Sequence, residues 1–223
     1  PLVFVPVYIG YEKLLEGRTY LREIAGKPKQ KESLWAIMKS ARQIKRVFGK
    51  VHLNFGEPLA LAEFLDAYHA GWAGDEGGAP GAWSREATRS AAIALAARLN
   101  DAVVVNPVNL IAITLLSTPR HTADEQSLER LLAHYQALIA KVPYSAAMIS
   151  CDLEPSAIVA YVERLGFAQR ISHPLGDLIR IPDGEAPLLA YFRNNVLHAF
   201  ALPALVACLL SHSRYLGAPR LIE

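Results

Sequence analysis

A proline inside the first strand signal of this chain limits how that segment can be built. Val3-Phe4-Val5 and Val7-Tyr8-Ile9 form a β-branched and aromatic run suited to a pleated surface, interrupted by Pro6. Proline lacks a backbone donor, so the run fits an edge strand, a bulge, or a place where the backbone turns toward a ligand. Tyr11 and Glu12 close the segment at a strand end, where loops commonly carry function. Residues 12–25 then read as a short helix and 26–30 as a loop. Ser33 is an N-cap for a helix with the apolar stripe Leu34, Ile37, Met38, Ala41, Ile44 and Phe48, which Gly49 ends. Residues 50–55 read as a strand, closed by Gly56-Glu57-Pro58, and 59–69 as another helix. This order predicts an α/β domain over residues 1 to about 70, with Val5, Val7 and Ile9 in the sheet core.

Residues 71–83 hold five glycines and predict a loop, the expected boundary between the first domain and a second over residues 84–223. Beyond it the chain turns mainly helical, with helices predicted at 84–100, 107–117, 124–141 and 155–165. Residues 167–172 and 177–181 predict a short β-hairpin across His173-Pro174-Leu175-Gly176. Three helices followed by a hairpin resemble the element order of a winged-helix module. A DNA reader places several cations on its recognition helix to neutralise phosphates, and residues 157–165 offer only Arg164. The expectation is therefore a packing or interaction device, with no nucleic-acid partner.

Hydrophobic residues make up 52% of the chain and charged ones 20%, with a mean hydropathy of +0.18; this argues for a large buried interface or membrane contact. Residues 194–213 contain no charge, but Asn194, Asn195, His198, Pro203 and His212 interrupt what would need to be roughly 20 apolar residues to span a bilayer. Residues 102–119 are likewise uncharged and are broken by Asn106, Pro107 and Asn109. Both read as a buried core helix or one lying at the interface rather than as spanning segments. No basic leader or cleavage signal precedes the first strand, so no targeting segment is expected. Cys151 and Cys208 match no redox or zinc spacing, which suits a reducing compartment.

Charge is uneven although the net is only +2: residues 11–50 hold 11 Lys and Arg against 4 Asp and Glu. Lys27, Lys29 and Lys31 form a basic loop, and Arg42, Lys45 and Arg46 a basic helix face. Such a cluster favours phosphate groups, an acidic carrier protein or an anionic membrane, the plain alternative being a solvated face. Catalytic motifs are wanting. The chain has no nucleophile elbow, zinc-protease motif, phosphate-cradling loop or dinucleotide fingerprint. Its seven histidines are too scattered to propose a metal site, and none has an aspartate five positions on. His121 with Asp124 and His173 with Asp177 have the wrong spacing and read as loop or cap residues.

The segment from Val5 through Glu12 resembles the fourth conserved block of the membrane-bound glycerol-3-phosphate acyltransferases of bacteria and mitochondria. Further segments look like family segments in the expected order: Lys31-Glu32-Ser33-Leu34, Asn54-Phe55-Gly56-Glu57-Pro58, Val142-Pro143-Tyr144-Ser145 and Tyr191-Phe192-Arg193-Asn194-Asn195-Val196-Leu197-His198. The resemblance implies that the chain is a C-terminal portion whose first 70 or so residues are the remnant of an α/β acyltransferase domain. The family's His-x-x-x-x-Asp pair then lies upstream, so no catalytic residue is expected here and the chain alone should be inactive. It further implies substrate-binding roles for Pro6, Tyr8, Tyr11 and Glu12. The substrates would be glycerol 3-phosphate and an acyl-CoA or acyl carrier protein donor, with no cofactor, in the first step of phospholipid biosynthesis. The place of work would be the cytoplasmic face of the inner membrane, peripheral or partly embedded. The competing expectation is a noncatalytic helical or winged-helix module for interaction or membrane docking.

Overall fold

In the computed structural model, residues 2–14, 49–69, 71–72 and 82–212 are described. Among them are seven α-helices and four small sheets, so the described chain is mainly helical. It divides into two compact units: Pro1–Gly10, His52–Val104 and Tyr144–Ile149 form the first, and Tyr11–Val51, Val105–Pro143 and Ser150–Glu223 the second.

In the first unit Pro6 splits the predicted strand in two. β1 (Val3–Phe4) and β2 (Val7–Tyr11) lie on either side of it and take different partners. β1 pairs antiparallel with β4 (Leu59–Ala60), Val3 opposite Ala60 and Phe4 opposite Leu59, while β2 pairs with β3 (Val51–Phe55). The partner changes at the residue that has no N–H to give, and the Pro6 carbonyl accepts from Gly56 N at 2.8 Å. Gly56 has to be glycine, because a Cβ there would lie 2.7 Å from the Arg98 carbonyl oxygen and 3.3 Å from Pro6 Cβ. The Leu59–Ala60 pairing delays the predicted helix, so α1 runs Leu61–Tyr68. α2 (Ala82–Asp101) is the Ala-rich helix, tied to the loop before β4 by Arg98, whose Nη1 donates to the Pro58 carbonyl at 2.5 Å. Asn54 Nδ2 donates to the Ala102 and Ala147 carbonyls at 2.9 and 2.7 Å.

The second unit is organised around α3 (Pro107–Leu116), buried from Pro107 to Leu115. Asn106 caps it in a reciprocal box with Asn109 (3.0 and 2.9 Å), and Pro107 occupies the first turn, where no donor is needed. The uncharged stretch that includes α3 is therefore core. α4 (Glu125–Lys141), α5 (Pro155–Leu165) and α6 (Ala186–Val196) surround it, with α6 packed most extensively. Asn109 Nδ2 donates to the Phe192 carbonyl at 2.8 Å, which satisfies a buried amide and fixes α6 on α3. Gly166, with φ at 83°, ends α5 in the left-handed conformation that glycine adopts without strain.

β5 (Val104–Val105) pairs with β7 (Ile149–Ser150) in a second two-residue ladder. The predicted hairpin forms as β8 (Gln169–Ile171) and β9 (Leu178–Arg180), joined on the β9 side by β6 (Thr122–Asp124). β6 was not apparent in the sequence because its three residues also serve as the approach to α4, whose N-cap is Asp124. Apart from the two-residue β7 between α4 and α5, the order α3, β6, α4, α5, β8, β9 with sheet order β6-β9-β8 resembles that of a winged-helix module. Arg170 on β8 holds it together: its guanidinium meets Glu125 on two oxygens at 2.6 Å, and Glu163 and Asp177 at 3.2 Å. Finally, α7 (His198–His212) leaves α6 at 86°, with Ala199 and Phe200 buried and Leu202 and Leu205 exposed.

Candidate functional site

The strand that carries the site candidates is inverted relative to expectation. Pro6, Gly10 and Glu12 are buried, Val5, Ile9 and Tyr11 are exposed, and Val7 and Tyr8 are half-buried. Val5 and Ile9, expected in the sheet core, stand 49% and 50% exposed. Side chains alternate with period two along a strand, so turning Pro6 inward puts the odd positions outward.

Glu12 is 1% exposed, an unusual place for a carboxylate. Its Oε2 accepts from the Tyr161 hydroxyl at 2.5 Å and from Lys50 N at 2.6 Å, while its own N–H donates to the Lys50 carbonyl at 3.1 Å. Gly49 lies against it, where a Cβ would sit 2.5 Å from Glu12 Cβ. The next residue, Lys13, donates from Nζ to the Leu165 carbonyl at 2.6 Å, one of the groups left over at the C-terminus of α5, and lies over the Phe167 ring. Two consecutive residues thus grip α5, one at Tyr161 and the other at its last turn. Burial, then the neighbouring Glu12 carboxylate, pushes Tyr161 up to about 12, so its proton stays on the phenol across the physiological range. The Arg164 guanidinium lies 5.5 Å over the Tyr161 ring.

Burial is the main cause that pushes the Cys151 thiol up, which keeps it protonated and a poor nucleophile. Asp124 serves as the α4 N-cap, accepting from Ser127 N at 2.8 Å, and His173 Nδ1 accepts from Leu175 N at 3.2 Å inside its loop. Both fit the loop and cap roles expected of them, whereas Asp177 joins the Arg170 cluster. Among the described residues no group of His, Cys, Asp and Glu could hold a metal ion. Lys27, Lys29, Lys31, Arg42, Lys45 and Arg46 lie outside the described residues, as do the predicted helix over 33–48 and most of that over 12–25.

Sequence reasoning missed two features. Tyr161 is 149 positions from Glu12, and nothing local marks it as a partner. The first unit also contains an apolar cleft of about 420 Å³, lined by Phe4, Phe64, Trp83, Ala87, Ala91 and Leu95 among others.

Residues 20–223 match the family model described as the glycerol-3-phosphate acyltransferase C-terminal region. A protein of Pseudomonas fluorescens (strain SBW25) named glycerol-3-phosphate acyltransferase is 45% identical over 225 residues, covering 100% of this chain and 27% of the relative. Proteins of the same name from Pseudomonas fluorescens (strain Pf0-1) and Pseudomonas aeruginosa (strain LESB58) are 46% and 42% identical, covering 93% and 100% of this chain and 25% and 27% of themselves. The chain is a member of the glycerol-3-phosphate acyltransferase family. Within that family it matches the C-terminal region, and it spans about a quarter of the length of these curated relatives.

Proposed function

We propose that the protein containing this chain transfers a fatty acyl group from acyl-CoA or acyl carrier protein to the sn-1 hydroxyl of glycerol 3-phosphate, giving lysophosphatidic acid. The observation that carries this reading is the 45% identity, sustained over the whole chain, to a relative of that name. Acyl transfer needs a base, a group that orients the base, and donors for the oxyanion. No histidine in these 223 residues has the required aspartate, so the base and its orienter come from elsewhere in the protein and the chain alone turns nothing over. What this chain contributes is wall and support. Pro6, Tyr8, Tyr11 and Glu12 belong to the substrate-binding strand, and residues 1 to about 70 complete an α/β acyltransferase domain. Residues 71–83 lead into the helical C-terminal domain. No cofactor is required, the acyl donor being a cosubstrate.

The reaction takes place at the cytoplasmic face of the inner membrane. Among the described residues no single helix is long and apolar enough to cross a bilayer, while α6 and α7 together form a bent apolar pair. In support of peripheral contact, α7 is uncharged and exposes Leu202, Leu205, Leu209 and Leu210, and no acidic residue occurs between Glu185 and Glu223. The test is glycerol-3-phosphate-dependent release of coenzyme A by the full-length protein and by the 223-residue chain, each with chelator present. Turnover by the full-length protein only is expected. An inactive full-length protein, or turnover by the chain alone, contradicts the reading.

A further inference from the structure

In the winged-helix order of elements, α5 stands where a DNA reader has its recognition helix, and its surface is engaged within the chain. The Tyr161 hydroxyl is given to buried Glu12 at 2.5 Å, the Leu165 carbonyl takes Lys13 Nζ at 2.6 Å, and Arg164 covers the Tyr161 ring. Glu12 and Lys13 follow β2 directly. The loop that returns toward β3 is bound at the same point, through Lys50 N on Glu12 Oε2 and the Lys50 carbonyl on Glu12 N, with Gly49 packed where no side chain fits. One carboxylate therefore fixes three pieces of chain: the end of β2, the approach to β3, and the middle of α5.

We propose that Tyr161 and Glu12 form a positioning pair, through which α5 sets the end of the strand that meets glycerol 3-phosphate. The role rests on the proposed acyltransferase function and refines it. Glu12 is withdrawn from substrate contact, because it is buried and its Oε2 already takes two donors. Tyr161 acts through Glu12 and touches no reacting atom. Deleting the Tyr161 donor removes one of the hydrogen bonds that fix a buried carboxylate, so the strand end would shift to recover it. A wall that touches substrate equally in the ground and transition states contributes uniform binding, whose loss raises KM and leaves kcat. The arrangement also gives a winged-helix body a use that needs no basic helix face, since its third helix recognises a strand end of its own chain.

The experiment uses the full-length protein and the variants Tyr161→Phe, Glu12→Gln and Glu12→Ala. Tyr161→Phe is expected to raise KM for glycerol 3-phosphate about tenfold with kcat within about twofold, the size of one lost hydrogen bond to a charged group. Glu12→Gln retains an acceptor oxygen and is expected to lose less than Glu12→Ala. The pH profile of kcat/KM below pH 10 keeps its shape in Tyr161→Phe, because this phenol does not titrate there. A lowered melting temperature with KM unchanged makes the pair merely structural and overturns the proposal. Loss of kcat with KM unchanged overturns it too, by placing Tyr161 at the reacting atoms. If Tyr161→Phe does not fold, Glu12→Gln decides: a raised KM supports the pair and an unchanged one overturns it. An inactive wild-type protein instead defeats the proposed function, and the positioning role falls with it.

Discussion

At the scale of residues, the second unit is governed by a few groups whose ionisation is tied to its geometry. Tyr161 has a folded-state pKa of about 12 against an ordinary 10, because burial and the Glu12 carboxylate favour the neutral phenol. A raised value means that its contribution to stability is full below pH 10 and is lost as pH rises from 10 through 12. Ultraviolet titration should find one phenolate forming about two units late, and Glu12→Ala should move it toward the ordinary value. The Arg170 guanidinium holds the Glu125 carboxyl below 4.5, the opposite case. That contribution is present above pH 4.5 and fades as pH falls through the depressed folded value. Arg170→Lys keeps the charge but not the two-pronged grip on Glu125, and should destabilise the unit by about 1 kcal/mol, since these side chains are about a third exposed. Comparing urea midpoints at pH 7 and pH 4 would check both size and direction: the difference between Arg170→Lys and wild type should shrink at the lower pH.

Among elements, those whose signals are local were readable in advance. Asn106-Pro107 opens α3, Asp124 opens α4, Pro155 opens α5 and Gly166 closes it, and each sits within a residue of its predicted boundary. A cap is made by groups one turn apart, so the sequence contains the whole interaction. Asn106→Ala removes half of the reciprocal cap at a buried helix start and should cost about 1–2 kcal/mol, read as a lower urea midpoint at unchanged slope. Elements whose definition is tertiary were not readable. The change of partner from β4 to β3 across Pro6, and the addition of β6 to the hairpin, depend on distant strands, paired residues lying 55 and 57 positions apart for β1 on β4 and 54 to 58 for β6 on β9. The burial of Pro6, Gly10 and Glu12 in place of Val5 and Ile9 has the same origin, because hydropathy favours the wrong face and only the pairing fixes the right one. For the candidate site, Glu12 could be singled out from its motif, while Tyr161 could not: a tyrosine at a half-buried helical position looks like any other.

For the whole molecule, the composition pointed to more apolar surface than an average soluble domain buries, and the structure accounts for it in two ways. Residues 102–115 became core in and before α3, whereas α7 presents leucines outward. The proposed function assigns the exposed leucines and the basic residues a shared purpose, bringing an acyl donor and an anionic surface to the protein. Reversing Lys29, Lys31, Arg42 and Arg46 to glutamate in the full-length protein should raise the apparent KM for the acyl donor, or release the protein from anionic vesicles, more strongly at low salt than at high. Neutral vesicles serve as the control, and no change in either quantity would remove the basic arm from donor and membrane binding. The positioning role depends on the end of β2 being held on α5 through the buried Glu12 and its Tyr161 donor. A double-mutant cycle on unfolding free energy with Glu12→Gln, Tyr161→Phe and the combination tests that most directly. A coupling of about 1–2 kcal/mol is predicted for a hydrogen bond to a buried charge, and strictly additive losses would contradict it.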